Sequence, residues 1–262
     1  MDKNKSKLQG VAVPVVTPFD ENFKLNLKEL KRHIRFLVKS GIDVLILTGT
    51  LGECETLTVE ERKKIVEVAA EEVSSSLPFV VCVNHTSFFT IIELAKHAQK
   101  MGAKAVMVMA PYYRRLSEGE IFSFYETISK SVDIDIMLYN NPALNKVDMS
   151  EELILSLAEL PNVIALKETT PNLRKFEWTM RIVGEKISVF NGFGERIEPS
   201  SYIMGEGGFV SVIANFIPEV PVRIRRACLE GNFSEAERVH DLIVPLFDLV
   251  SSQKIKQPVS FF

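Results

Sequence analysis

The sequence predicts an α/β protein built as a (β/α)8 or TIM barrel, in which eight parallel strands alternate with eight helices. Strand-like and helix-like segments alternate along the 262 residues at roughly 25 to 30 residues per pair, which fits a closed barrel better than an open doubly wound sheet. The strand candidates are nearly continuous apolar runs, as in parallel strands covered on both faces. No Gly-x-Gly-x-x-Gly motif follows a strand into a helix, so the fingerprint of a dinucleotide-binding sheet is missing.

Each element has its own signal in the chain. The strands are predicted at residues 11–17, 44–48, 79–84, 105–110, 134–140, 163–168, 188–191 and 208–213. The helices are predicted at residues 27–40, 59–75, 88–101, 118–131, 150–160, 173–183, 196–204 and 219–230. Thr58 with Glu61 forms a capping box that starts the second helix, and Ser150 is an N-cap for the fifth. A further amphipathic stretch, residues 234–250, follows the eighth pair.

The domain organisation predicted from these elements is simple. Residues 1–230 form the barrel and residues 231–262 form a C-terminal helical segment, with no linker or low-complexity stretch between them. The chain stops on Phe261-Phe262 shortly after a proline, which is the appearance of a chain cut off before its next element. The alternative is a short apolar tail that docks on its own protein.

Composition argues against nucleic-acid binding and secretion. Hydrophobic residues make up 46% of the chain and charged residues 25%, and the net charge of −3 leaves no basic stripe. The three cysteines are odd in number and widely spaced, which suits free thiols in a reducing cytosol. No signal-peptide or membrane-length apolar segment follows the N-terminus, and the four histidines stand in no metal-binding spacing. We therefore expect a cytoplasmic protein without a metal site.

One lysine, Lys167, lies near the end of the apolar strand 163–168. Burial in packed interior disfavours the charged ammonium, so the neutral and nucleophilic amine is favoured there. That form is what Schiff-base chemistry on a carbonyl requires. The alternative is that Lys167 marks the point where the strand meets solvent, with its ammonium in water or paired with Glu168.

Other strand ends carry residues that suit the same chemistry, because active sites in such barrels lie at the C-terminal ends of the strands. The turn 49–52 after the second strand has two glycines and exposed backbone N–H groups suited to a carboxylate. Tyr112 and Tyr113 follow the fourth strand, and Tyr139 ends the fifth. Each feature alone is compatible with a structural role, as an interface tyrosine, a core tyrosine or a plain βα connection. Together they favour an enzyme that forms a carbinolamine.

The motifs resemble those of the dihydrodipicolinate synthase and N-acetylneuraminate lyase family. The resemblance rests on G-T-L-G-E at 49–53, P-Y-Y at 111–113, Y-N-N-P at 139–142 and V-I-A-L-K-E-T at 163–169, in the family's order. It implies a (β/α)8 class I aldolase or lyase that forms a lysine Schiff base with pyruvate or another 2-keto acid. It further implies that no metal or organic cofactor is used and that the protein is a homotetramer, a dimer of tight dimers.

The resemblance also implies a role for each matching residue. Lys167 is the Schiff-base lysine, and Tyr139 is the phenol that transfers the proton. Thr50 links Tyr139 to Tyr113 in a hydroxyl relay, and Tyr113 reaches into the site of a neighbouring subunit. The other residues implied in the keto-acid pocket are Gly49, Leu51, Gly192 and Val210.

Three departures from the synthase pattern bear on the second substrate. Leu51 replaces a threonine, which removes a hydroxyl but keeps the backbone N–H groups. Leu144 lies in the loop where the synthases carry an arginine for the second substrate's carboxylate, so condensation with aspartate semialdehyde is doubtful. His85 follows the third strand, where relatives have a small turn, and it either faces the substrate or lies in a surface loop. The Pro-Ala-Leu sequence at 142–144 is more like the sugar-acid lyases, whose second substrates are polyhydroxylated aldehydes.

Four functions remain open at this point. The first is a lyase or aldolase acting on pyruvate and a sugar-acid-type aldehyde. The rivals that use the same lysine are dihydrodipicolinate synthase and a keto-deoxy sugar-acid dehydratase. A non-catalytic keto-acid-binding homologue is the rival from another class. Relatives usually continue beyond the position of Phe262, which agrees with an incomplete C-terminal segment.

Overall fold

Eight parallel strands close into a barrel in the order of the sequence, which confirms the predicted fold class. The computed structural model describes residues 8–73 and 77–251. The strands are β1 (Gly10–Pro14), β2 (Val44–Leu47), β3 (Phe79–Cys82), β4 (Ala105–Met109), β5 (Asp135–Asn140), β6 (Val163–Glu168), β7 (Ser188–Asn191) and β8 (Gly208–Val210). The barrel closes where Gly10 pairs with Gly208, and a Cβ on Gly208 would lie 2.2 Å from the Gly10 carbonyl oxygen. Closure therefore depends on the missing side chain at Gly208.

Helices connect the strands around the outside of the barrel. They are α1 (Leu27–Val38), α2 (Val59–Glu72), α3 (Phe88–Lys100), α4 (Glu118–Ser131), α5 (Pro142–Asn145), α6 (Glu151–Ala158), α7 (Leu173–Val183), α8 (Ser200–Ile203), α9 (Glu219–Leu229), α10 (Phe233–Asp241) and α11 (Val244–Ser251). The capping box between Thr58 and Glu61 is present, and the Ser150 hydroxyl accepts a hydrogen bond from the Leu153 N–H at 3.1 Å. Both predicted helix starts are thus confirmed.

The strands are buried on both faces, so alternate side chains enter two different packed regions. Leu166 packs outward with the helices, whereas Ala165 packs in the barrel interior. Lys167 follows Leu166 and therefore points to the interior face. Tyr139 and Cys82 lie in the same interior cluster, so the topology brings three reactive side chains to one end of the barrel interior.

Five of the predicted strands extend past their observed ends, which are Pro14 for β1, Leu47 for β2, Cys82 for β3, Met109 for β4 and Val210 for β8. β2 ends at Leu47 because Thr48 adopts a left-handed conformation with φ of 50°, which an extended strand cannot include. β8 ends at Val210, and residues 213–215 form a 3-10 turn. At the ends of β2 and β8 the backbone stops pairing with neighbouring strands and forms turns at the mouth of the barrel.

The helix predicted at 196–204 is wrong. The structure has a 3-10 turn at Gly194–Ile197 and the four-residue helix α8, separated by Glu198 and Pro199. Proline has no N–H to donate, and it disfavours the helical conformation in the residue before it. The Glu198 backbone is accordingly extended.

The single helix predicted at 234–250 is also wrong. It is divided into α10 and α11, and Leu242 and Ile243 lie between them. Pro245 is the second residue of α11, so it cannot donate the hydrogen bond that would continue α10 through this point. The apolar residues keep a helical spacing across the break between α10 and α11, so the sequence pattern does not reveal it.

No helix within residues 8–73 and 77–251 is long and apolar enough to cross a membrane. The apolar terminus Phe261-Phe262 lies outside the described residues, as do residues 74–75 at the end of the second predicted helix. The predicted boundary between the barrel and the C-terminal segment, between residues 230 and 231, falls between α9 and α10. The division into these two parts stays a prediction.

Candidate active site

The side chain of Lys167 is buried at the C-terminal end of β6, with 8% of its surface exposed. Its Nζ lies over the Tyr139 ring at 4.4 Å from the centroid. Among the described residues it forms no ion pair, and the Glu168 carboxylate instead accepts hydrogen bonds from the Asn140 amide at 2.9 and 3.0 Å. Lys167 is therefore neither a solvent-reaching lysine nor a partner of Glu168.

The hydroxyl of Tyr139 is held by a residue that the sequence did not single out. The Asn141 side-chain amide donates a hydrogen bond to the Tyr139 hydroxyl oxygen at 2.9 Å, and both side chains are buried. Within the described residues no hydrogen bond joins Thr50 to Tyr139, so the first link of the predicted relay is not formed in this chain. Asn141 could have been found from the Y-N-N-P motif, because the second asparagine of the motif provides an amide donor two residues after Tyr139.

A buried polar network fixes the opposite face of the strand ends. The Asn140 amide also donates to Asp148 at 2.9 Å, and the Lys175 ammonium pairs with the same carboxylate. Burial raises the pKa of Glu168 to about 7, although the Lys175 charge and the Asn140 hydrogen bonds oppose this shift. The network binds β5 to β6 just where Tyr139 and Lys167 are paired in register. It supports the positions of both side chains without touching the interior.

The turn after β2 leaves backbone donors free. Its own hydrogen bonds run from the Glu53 N–H to the Thr50 carbonyl at 3.0 Å and from the Cys54 N–H to the Gly49 carbonyl at 3.3 Å. The N–H groups of Thr50 and Leu51 have no backbone acceptor in the part of the chain that the structure describes. Two adjacent free N–H groups in a turn form a concave donor pair of the kind that binds carboxylates.

A cavity of about 380 Å³ opens beside this turn. It is lined by Thr50, Cys54, Glu55, Leu57, Arg62, Asn84, His85, Thr86, Met109, Tyr112 and Leu144. Lys167 and Tyr139 are not among these residues, because their side chains lie in the barrel interior. Leu144 is 44% exposed on α5, a helix that the sequence did not predict. The structure thus brings Thr50 and Leu144 to one cavity.

His85 has a fixed orientation at the cavity. The Ser87 N–H donates to its Nδ1 at 2.9 Å, so the hydrogen of the neutral ring is on Nε2. The ring is half-buried and lines the cavity, and a role toward the substrate stays a prediction. It can act there as a hydrogen-bond donor.

Gly192 and Val210 lie at neighbouring strand ends. A Cβ on Gly192 would lie 2.1 Å from the Thr169 hydroxyl oxygen, so the position has no room for a side chain. Val210 is buried in the interior cluster that contains Tyr139. The Thr169 hydroxyl is buried without a hydrogen-bond partner among the described residues, and Thr169 directly follows the end of β6. Sequence reasoning missed Thr169, although it is the last residue of the V-I-A-L-K-E-T motif.

The two tyrosines after β4 differ in exposure. Tyr113 is 83% exposed, whereas Tyr112 packs against the interior cluster. Burial raises the pKa of Tyr112. Within one chain the exposed Tyr113 does not reach the buried Lys167. The role of Tyr113 in the site of a neighbouring subunit stays a prediction.

Buried carboxyl groups stabilise the ends of β7 and β8. Glu195 accepts a hydrogen bond from the Ser211 hydroxyl, and burial raises the pKa of Glu195 to about 7. Glu198 accepts from the Asn191 amide at 3.0 Å, and burial raises its pKa as well. These groups support the loop between Gly192 and Ser201.

Comparisons with known proteins agree on one family. The family model described as the dihydrodipicolinate synthetase family matches residues 7–261. A 4-hydroxy-tetrahydrodipicolinate synthase of Bartonella bacilliformis is 33% identical over 240 residues, which is 91% of this chain and 81% of that protein.

Solved structures give the same result. Dihydrodipicolinate synthase from Aquifex aeolicus superposes with a TM-score of 0.89 at 30% identity, covering 96% of this chain and 85% of that one. A prophage protein of the family from E. coli K12, solved in complex with pyruvate, has a TM-score of 0.88 at 29% identity and covers 93% and 83% of the two chains.

Proposed function

The chain belongs to the dihydrodipicolinate synthetase family, and from this premise we propose that it is a Schiff-base lyase acting on pyruvate and a polyhydroxylated aldehyde. The single observation that carries the proposal is the Lys167 amine, which is buried in the barrel interior without an ion-pair partner among the described residues. The family assignment agrees with the predicted class of enzyme, a carbon–carbon lyase.

The geometry supports a short reaction sequence. The neutral Lys167 amine attacks the C2 carbonyl of the keto acid, and loss of water gives an iminium ion. The free N–H groups of Thr50 and Leu51 hold the carboxylate. The Tyr139 phenol protonates the hydroxyl group that leaves the carbinolamine as water and so becomes a phenolate. In the cleavage direction this phenolate takes the proton from the substrate hydroxyl while the electrons of the breaking C–C bond move into the iminium ion. Protonation of the resulting enamine and hydrolysis release pyruvate.

Three side chains support a hydroxyl-bearing second substrate. Leu144 offers no positive charge for a carboxylate at the cavity. Thr169 carries a buried hydroxyl with no partner in the part of the chain that the structure describes, and a substrate hydroxyl can satisfy it. His85 adds a donor at the cavity wall. These groups favour a sugar-acid lyase over a synthase that uses aspartate semialdehyde, and no observation here favours the dehydratase or the non-catalytic alternative.

A substrate panel tests this choice. With pyruvate saturating, we expect kcat/KM for a polyhydroxylated aldehyde such as glyceraldehyde to exceed that for aspartate semialdehyde by about a hundredfold, because a missing charge pair costs about 2 to 3 kcal/mol. Thr169→Val should reduce this preference, and Leu144→Arg should improve use of the semialdehyde. Equal or better use of the semialdehyde by the wild-type protein would return the assignment to the synthase.

Asn141 gives a second test, because it donates to the Tyr139 hydroxyl. Asn141→Leu keeps the volume and removes the donor that stabilises the phenolate. We expect kcat to fall by about tenfold or more, while the KM for pyruvate stays within about twofold. Steady-state kinetics with each substrate varied in turn measure this split. A rise in the KM for pyruvate with kcat unchanged would place Asn141 in binding instead.

The assembly is proposed on the family resemblance. Tyr113 is an exposed aromatic residue next in the chain to Tyr112, which lines the cavity, and such exposure is expected of a side chain that enters a second copy of the chain. We retain the predicted homotetramer of tight dimers as part of the proposal.

A further inference from the structure

The ladder between β5 and β6 shifts its register before it reaches the candidate site. Ile136 of β5 pairs with Val163, whereas the next residue of β5 pairs with Ala165, so β6 has one extra residue at this point. Such a bulge re-aims the side chains that follow it. A slip of one residue beyond the bulge would turn Lys167 from the interior to the outer face. The register of the strand ends therefore needs a contact that fixes it.

Such a contact is present one residue beyond the paired Tyr139 and Lys167. Asn140 and Glu168 are the next partners in the same register, and both side chains are buried. The Asn140 side-chain amide donates to both carboxylate oxygens of Glu168, at 2.9 and 3.0 Å. Because neighbouring residues of a strand face opposite sides, this contact lies on the outer face, directly behind the two interior side chains.

The Asn140 amide has only one orientation that satisfies its surroundings. Its second N–H donates to Asp148 at 2.9 Å, and its oxygen accepts from the Met149 N–H at 3.2 Å. Turning the amide over would place its oxygen against two carboxylates and would remove the acceptor of the Met149 N–H. The side chain of Asn140 is therefore fixed, and it fixes Glu168 in turn.

Charged groups face Glu168 from the elements packed against β6. Burial raises the pKa of Glu168 to about 7, and Lys175 on α7 opposes this shift, whereas Asp148 reinforces it. Asp148 also pairs with Lys175. On β7 the register partner of Glu168 is Asn191, whose amide donates to Glu198 at 3.0 Å. Glu168 therefore gains or loses a proton near neutral pH.

We propose that Glu168 is a positioning residue for proton transfer, which acts through Asn140 to fix β5 against β6 and so holds the Tyr139 hydroxyl at the reacting atoms on Lys167. This role rests on the lyase function proposed above. Glu168 lies on the outer face and acts through another side chain, so it is not itself a catalytic residue. A displacement of about 1 Å at a reacting group can lower the rate by about a hundredfold, so a contact one residue away can control turnover.

Protonation of Glu168 weakens its contact with Asn140. The ionised carboxylate accepts the Asn140 N–H at both oxygens, whereas the acid carries a hydrogen on one of them and meets a donor with a donor. The remaining hydrogen bond is no longer charge-assisted. Because the ionised form is the positioning form, we expect kcat to be full above about pH 7 and to fall as the pH drops below it. Lys167 is already part of the Schiff base in the complex that kcat reports, so its amine adds no limb to this profile.

The test measures kcat and borohydride trapping of pyruvate on the whole protein over about two pH units on either side of neutrality. Glu168→Gln has nearly the same shape, carries no charge at any pH and presents an amide donor to Asn140. We expect kcat above neutral pH to fall by about tenfold or more and the acidic limb to disappear. Trapping on Lys167 should stay within about twofold of wild type, because β6 keeps its ladder with β7.

A second variant keeps the test decisive if Glu168→Gln does not fold. Glu168→Asp keeps the charge but shortens the reach to Asn140, so kcat should fall while the acidic limb remains. Glu206→Gln is the matched control, because this buried carboxyl group also has a raised pKa and pairs with Arg225 at 2.6 Å. Glu206 precedes β8 at the opposite end of the barrel, so its variant should keep the kcat and the pH profile of wild type.

The outcomes separate this positioning role from the lyase function. A wild-type kcat without the acidic limb, an unchanged kcat in either Glu168 variant, or a limb that persists in folded Glu168→Gln overturns the role. Equal losses of kcat and trapping would make Glu168 a purely structural residue and also overturn it. If wild-type protein traps no pyruvate, the lyase function fails and the positioning role fails with it. Normal trapping with an unchanged kcat in Glu168→Gln leaves the lyase function standing.

Discussion

Replacing Lys167 with methionine or alanine is expected to abolish both turnover and the borohydride-trapped pyruvate adduct. The amine is the only nucleophile in the proposed reaction, and removal of a covalent nucleophile typically lowers kcat by about 10⁴-fold or more. Wild-type protein incubated with pyruvate and borohydride should carry the reduced adduct on the peptide that contains Lys167. Mass mapping of the two proteins measures the difference directly.

The fold should survive this change. Lys167 is buried without an ion pair among the described residues, so methionine removes a desolvation cost while keeping the volume. The unfolding midpoint of Lys167→Met should be equal to or above that of wild type. Lys130→Ala on the exposed face of α4 is the matched lysine control and should keep full trapping. An adduct that persists in folded Lys167→Met would assign the Schiff base to another lysine.

Replacing Tyr139 with phenylalanine is expected to separate keto-acid binding from turnover. The ring that lies under the Lys167 Nζ is retained, but the hydroxyl that accepts from Asn141 is lost. Pyruvate should still be trapped on Lys167, while kcat falls by about 10² to 10⁴-fold because the proton must move without a positioned phenol. Single-turnover cleavage and adduct trapping measure the two steps.

Another buried tyrosine serves as the control. Tyr125 is fully buried on α4, and its hydroxyl donates to the Val108 carbonyl at 2.8 Å, outside the site. Tyr125→Phe should lose about 1 kcal/mol of stability from that hydrogen bond and keep kcat. Normal turnover in Tyr139→Phe would remove Tyr139 from proton transfer and leave a water or a neighbouring chain's residue in its place.

The barrel, the strand that carries Lys167 and the end of the barrel that holds the candidate site could all be predicted from the sequence. These follow from short-range patterns: apolar runs of strand length, helix caps such as Thr58 with Glu61, and the rule that parallel strands present their C-terminal ends together. The helix α7 was predicted at its observed bounds because both of its ends have local signals.

Contacts between side chains from distant parts of the chain could be identified only in the folded protein. The ion pair between Lys175 and Asp148, and the Thr169 hydroxyl that has no partner among the described residues, depend on side-chain directions across turns and between strands. Residues far apart in the chain have no common local pattern from which such contacts can be read. The breaks at Pro199 and Pro245 were also missed, because apolar periodicity continues through them while a single missing N–H redirects the chain.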